Sequence, residues 1–221
     1  MSTPPQVVPI FATPFAVVKL EAAEALNPKL AALFADRATP EWRDPSAPAP
    51  HAFRSRDNLT EWHEDTVRAA LREILAGVTS VAASISSLSA EQFAGLSLQA
   101  RAWFTILEAD GCVPPASYAN ASWAAVYCVE APPPSPVRFD SGVLRLYEPR
   151  HGNVFQDVSQ SSMRLPYLSG HCTWRPVPGE MAVYPAAVIH EIALLRAPGR
   201  LVIVSARARF VGSEQAWMPP W

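Results

Sequence analysis

The chain has 221 residues, 49% of them hydrophobic, with 18 Lys and Arg set against 20 Asp and Glu. That length supports one domain with a real core, and a net charge of −2 with no basic block argues against nucleic acid or an anionic membrane as partner. Three cysteines without metal-ligand spacing, no signal-peptide pattern in MSTPPQVVPIF and no apolar run of spanning length read as a cytoplasmic protein with reduced thiols.

In chain order, Val7–Leu20 reads as an apolar extended segment interrupted by Pro9 and Pro14, which suits an edge strand. An alanine-rich helix follows, with Asn27 as N-cap, Pro28 in its first turn and Leu30, Leu33 and Phe34 on its apolar face. Ala38–Asn58 is polar and proline-bearing and reads as a long loop. Val67, Leu71, Ile74, Leu75, Val78 and Val81 place a second helix from Thr60 to Ile85. Ser89 with Gln92 forms a capping box for a short third helix. From Gln99 onward the pattern is strand-like: Ala100–Glu108, Ser122–Val129, Val143–Tyr147, Glu180–Tyr184, Ile189–Leu195 and Arg200–Phe210. Prolines cluster at Ala47–Pro50, Pro114-Pro115 and Pro132–Pro136 and mark stiff loops. Helices followed by many strands give an α+β class. A jelly-roll core at 100–221 is braced by a strand and helices at 1–99, all within a single domain spanning 1–221.

Two residues near the C-terminus stand out. Ala197-Pro198-Gly199 makes a turn, after which alternation puts Arg200, Val202, Val204, Ala206 and Ala208 on one strand face. His190 shares a face with Ile192 and Leu194. A guanidinium on an inward face needs a carboxylate, supplied by this chain or by a ligand.

Three passages carry a resemblance: "FATPFAVVKL…LNPKLAALF", "AWFTILEADGCVPPASYANASWAAVYCVEAP…SGVLRLYEPR" and "RPVPGEMAVYPAAVIHEIALLRAPGRLVIVSARARF". In order and spacing they resemble the bacterial 2-oxoglutarate/Fe(II) oxygenases over nearly the whole chain. The resemblance implies a double-stranded β-helix. It also implies that His190 matches the distal metal-binding histidine and Arg200 the arginine that binds the far carboxylate of 2-oxoglutarate. The remaining two ligands, a His-x-His or His-x-Asp in the family, fall on Ala116 and Tyr118 when the chain is aligned on Trp123 and Val126-Tyr127. Alanine offers no donor and a neutral phenol is a poor ligand for Fe(II). Glu148, His151, His171 and Cys172 are the other candidates between the central strands and His190, and each reads more simply as a loop, surface or packing residue. No metal and no cofactor are therefore expected, His190 being the one retained ligand position.

Aromatic residues need the same weighing. Trp103, Trp123, Trp174, Trp217 and Trp221 read first as packing and tail residues. The family's matching strand faces its cavity, so the resemblance places Trp123 or Tyr127 there, on one strand face with Ala125. The resulting expectation is an inherited pocket with new chemistry. His190 and Tyr118 handle protons, while Arg200, Tyr127 and Trp123 bind a small carboxylated metabolite in a metal-independent isomerisation, elimination or cyclisation. One alternative is a non-catalytic relative acting through protein contacts, for instance a homodimer using the N-terminal strand and the Trp-rich tail. The other is a hydroxylase using Fe(II) and 2-oxoglutarate with unusual ligands.

Overall fold

The computed structural model describes residues 9, 12–47, 50–148, 157–167, 170–212 and 219–221. His151, Trp217 and the start of the expected first strand lie outside them. Two antiparallel sheets face each other. The strands are β1 (Ala16–Lys19), β2 (Ala52–Arg54), β3 (Ser97–Leu107), β4 (Val113–Ala116), β5 (Trp123–Glu130), β6 (Leu144–Tyr147), β7 (His171–Trp174), β8 (Glu180–Pro185), β9 (His190–Ile192) and β10 (Leu201–Val211). The larger sheet runs β1-β8-β5-β10-β3-β2 and the smaller β4-β9-β6-β7. This is a double-stranded β-helix of α+β class, as the strand pattern indicated.

Helices cover the outer face of the larger sheet. Alanine, leucine and glutamate, all strong helix formers, carry α1 from Ala23 to Asp36, so it begins before Asn27 and holds Pro28 inside. Asn27 therefore caps nothing; its Oδ1 accepts a hydrogen bond from the Tyr127 hydroxyl on β5. A short 3-10 turn at Leu59–Glu61 precedes α2 (Asp65–Ser84), which starts later than its apolar periodicity suggested. The α3 helix (Ala90–Ala94) has both halves of the Ser89–Gln92 capping box. Leu30, Phe34, Ile74 and Val78 are wholly buried against the sheet, each stabilising the fold by roughly 1.5–3 kcal/mol. Phe34 stacks on Phe104 with ring centroids 4.3 Å apart. Gly77 lets α2 approach closely, since a Cβ there would come within 2.6 Å of Met181 Cε. Among the described residues, no helix is long and apolar enough to cross a membrane.

Three short strands escaped the sequence pattern. β2 lies inside the polar Ala38–Asn58 stretch, β4 contains Pro114 and Pro115, and β7 falls where a loop was expected. The N-terminal part is therefore more than a brace. β1 and β2 form the two edges of the larger sheet.

Both faces of that sheet are covered. Ala102, Phe104, Ala125, Tyr127, Val183, Val202 and Val204 pack toward the helices, whereas Leu107, Val126, Cys128, Tyr184 and Ile203 pack toward the smaller sheet. Strand alternation alone sorts them.

Candidate functional site

A cavity of about 220 Å³ opens between the two sheets. That is larger than the roughly 150 Å³ void that admits benzene in a protein core. Its walls come from alternate residues of each strand: Ala52 and Arg54 of β2, Trp103 and Thr105 of β3, Val126 of β5, Ile203 and Ser205 of β10. The smaller sheet contributes Val113 to Ala116, Leu144, His190 and Ile192, with Tyr118 just beyond β4. The lining is mostly apolar with a few polar groups, the usual character of a small-molecule site.

His190 and Tyr118 meet here. Their ring centroids are 5.1 Å apart at a steep angle, and Tyr184 packs on His190 in the same way at 5.0 Å. Register explains the meeting: Ala116 pairs directly with His190 across β4 and β9, and the Tyr118 backbone N–H donates to the Ala186 carbonyl at 2.8 Å. Trp103 abuts the other side of Tyr118, with centroids 5.6 Å apart.

His190 is 4% exposed. Its Nδ1 lies 2.9 Å from the Val188 carbonyl oxygen. A carbonyl only accepts, so Nδ1 carries the proton and Nε2 keeps its lone pair. Burial holds the imidazole below its ordinary pKa and outweighs the opposing bond to Val188. Burial likewise pushes the Tyr118 phenol up, against the opposing cations Arg54 and Arg207. At neutral pH the pair is a neutral imidazole beside a neutral phenol.

Arg200, Trp123 and Tyr127 lie elsewhere. Arg200 sits just before β10, on the parity that faces the helices, and donates to both carboxylate oxygens of Glu130 at 2.9 and 2.8 Å. Trp123 packs against the helix-side core, and Tyr127 is fully buried there with its hydroxyl on Asn27. Burial pushes the Tyr127 phenol up to about 12, against the opposing bond to Asn27. The three do share parity, but that parity points away from the cavity. On the cavity side of β10 the side chains are Leu201, Ile203 and Ser205, followed on the same parity by Arg207, whose guanidinium lies 5.7 Å from the centroid of the Tyr118 ring.

Sequence reasoning missed Arg54, which reaches the cavity from β2 and lies over the Trp103 ring at 4.6 Å. It also passed over Tyr184, Thr105 and Ser205. Alternation along β3, β8 and β10 was the available signal, had the inward parity been known.

Among the described residues, the donors around His190 do not fit a ferrous site. Its direct cross-strand neighbours are Ala116 and Leu146, and the two tyrosine rings packed on it carry phenols that burial keeps protonated. His171 pairs with Tyr147, on the parity of Glu191, whose carboxylate accepts a bond from the Tyr147 hydroxyl at 2.8 Å. Cys172 is two strands from His190, roughly 10 Å by ordinary strand spacing. Among the described residues, no three His, Cys, Asp or Glu side chains converge as a metal site. Nor, among those residues, does a cation of β10 line the cavity: Arg200, just before the strand, is held by Glu130 on the helix side, and Arg207 donates to Asp57.

No protein-family model matches the chain, and no curated protein does. Solved structures do match. The non-heme alpha ketoglutarate dependent carbocyclase SnoK from nogalamycin biosynthesis superposes with a TM-score of 0.61 at 9% identity, over 93% of this chain and 85% of that one. AviO1 from Streptomyces viridochromogenes Tue57 gives 0.58 at 14% identity, over 94% of each chain. HygX from Streptomyces hygroscopicus, with nickel and 2-oxoglutarate bound, gives 0.55 at 13% identity, over 92% and 84%. The fold is that of the 2-oxoglutarate/Fe(II) oxygenases. At these identities the likeness concerns the fold, and function must be argued from the site.

Proposed function

We propose that the chain is a divergent oxygenase-fold protein whose pocket binds, and transforms, a small molecule without iron. The observation that carries this reading is the contact between Tyr118 and His190 on the wall of one cavity. His190 Nε2 is the proton acceptor and the Tyr118 hydroxyl the donor. The two could move one proton off a substrate and return another elsewhere on it, which is the requirement of an isomerisation, elimination or cyclisation. Apolar walls from Val126, Leu144, Ile192 and Ile203 limit water around that exchange.

A second reading, an Fe(II)/2-oxoglutarate hydroxylase with unusual ligands, draws support from the cofactors named for HygX and SnoK. One experiment separates them. Purified protein, wild type and a cavity-filling Ser205→Leu variant of checked thermal stability, is dialysed against a small-molecule extract and read by mass spectrometry. In parallel, succinate formation is measured with Fe(II), ascorbate and 2-oxoglutarate. The pocket reading expects a compound enriched by wild type alone and no succinate above blank. Identical dialysis profiles for the two proteins would sink it, and succinate production would replace it with the hydroxylase.

A further inference from the structure

We infer that the pocket takes an amphipathic monocarboxylate and that Arg54, from β2, anchors its charge. The inference rests on the pocket reading above and adds the chemistry of the ligand.

The guanidiniums near the sheets differ in how fully their donors are used. Arg200 is clamped by Glu130, Arg207 donates to Asp57 at 2.6 Å and Arg101 to Glu61 at 2.7 Å. Arg54 differs. Its Nε is buried with no hydrogen-bond partner, as is that of Arg207; what sets Arg54 apart is that its nearest carboxylate oxygen, Asp44 Oδ2, stands 3.5 Å from Nη1. That is longer than a normal N–H···O bond. The other oxygen of Asp44 is occupied by the backbone and hydroxyl of Ser46, at 2.9 and 2.7 Å. Asp44 therefore offsets the charge of Arg54 without saturating its donors.

Arg54 is also held in place. Its guanidinium lies over Trp103, which fixes the plane of the fork, and the side chain lines the cavity beside Tyr118. A planar fork with free donors matches a carboxylate. Against the effect of burial, the bonds to Ser46 and two cations, Arg54 and Arg56, hold the Asp44 carboxyl below its ordinary pKa. Arg54, Arg56 and Asp44 together carry one net positive charge, which one incoming negative charge balances, whereas a second, as on a phosphate monoester, would be placed against the Asp44 carboxylate. Between Arg54 and His190 the walls are mainly apolar, with Thr105, Ser205 and Tyr118 as polar exceptions, so the ligand has a mainly apolar body, with its reacting position at the His190 end. On this geometry Arg54 replaces Arg200 as the carboxylate anchor.

Cys112 provides the readout, because it lines the cavity and is partly exposed, while the exposed Cys172 serves as an internal control. The probes are 3-phenylpropionate and its neutral amide, and protection of Cys112 from iodoacetamide is followed peptide by peptide. The acid should protect at a concentration at least about tenfold lower than the amide. Arg54→Gln should erase that difference, Arg54→Lys should retain part of it, and Arg200→Gln should leave it intact, each variant being checked for an unchanged melting temperature. Where Arg54→Gln does not fold, an unreduced acid preference in Arg54→Lys counts against the anchor. Equal protection by acid and amide overturns the anchor, as does a preference that survives Arg54→Gln; the pocket reading stands in both cases. Absence of protection by either probe overturns both.

Discussion

Arg200 grips Glu130 with both nitrogens of its fork, Nε at 2.9 Å and Nη2 at 2.8 Å, on the side of β10 away from the cavity. The side chains are 33% and 38% exposed, so solvent screens the pair. Arg200→Ala should lower stability by about 1 kcal/mol or less and leave binding in the cavity unchanged. Urea unfolding and the Cys112 protection assay check the two halves. A variant that folds normally and loses ligand would return Arg200 to the site.

Tyr127 tests the same geometry from β5. Its buried hydroxyl donates to Asn27 on α1 and ties the helix layer to the sheet. Tyr127→Phe leaves Asn27 without that donor and should cost about 1 kcal/mol, again with no effect on ligand. A change in ligand affinity larger than the change in stability would contradict this placement.

These two residues show where the sequence stopped being legible. Strand alternation sorted β5 and β10 into their two faces, and that sorting agrees with the packing of Trp123, Ala125, Tyr127, Val202 and Val204. It carried no sign for which face was inward. In a sheet covered on one side by helices and on the other by a second sheet, both faces are apolar. The apolar company of Arg200 therefore marked the helix layer as readily as a pocket. Tyr118 and His190 were legible through the resemblance, which put one on a ligand position and the other on the distal histidine; the pairing of Ala116 with His190 is what brings them together. Arg54 was not, because a three-residue strand in a proline-bearing polar stretch has too few positions to show a period.

His190 gives a pH signature with a fixed sign. Burial holds its folded-state pKa down, against the bond to Val188. Between that value and the unfolded value of about 6.5, the unfolded chain binds a proton that the folded chain does not. The group leaves stability untouched above about pH 6.5, costs stability as pH falls below it, and stops costing more once pH passes the folded value. Tyr118 and Tyr184, the rings packed on it, are phenols pushed upward and do not titrate in that window. His190→Gln should accordingly flatten part of the stability loss between about pH 7.5 and about pH 5. Parallel urea midpoints in wild type and variant would reject the burial argument.

Tyr184 supplies the last prediction. It is fully buried between the sheets, its ring lies against His190, and its hydroxyl has no hydrogen-bond partner. Burial pushes the phenol well above its usual range, with Tyr118 adding to the effect, so the hydroxyl is a protonated donor with nothing to receive it. An orphaned buried hydroxyl costs about 1–3 kcal/mol. Tyr184→Phe removes that cost while keeping the ring that packs on His190. The variant should therefore be as stable as wild type or more stable by up to about 1 kcal/mol, measured by urea unfolding of ligand-free protein. A loss of stability instead would mean that the hydroxyl has a partner in solution. In that case the polar wall of the site would extend past His190 to β8, and Tyr184→Phe would also weaken protection of Cys112 by 3-phenylpropionate.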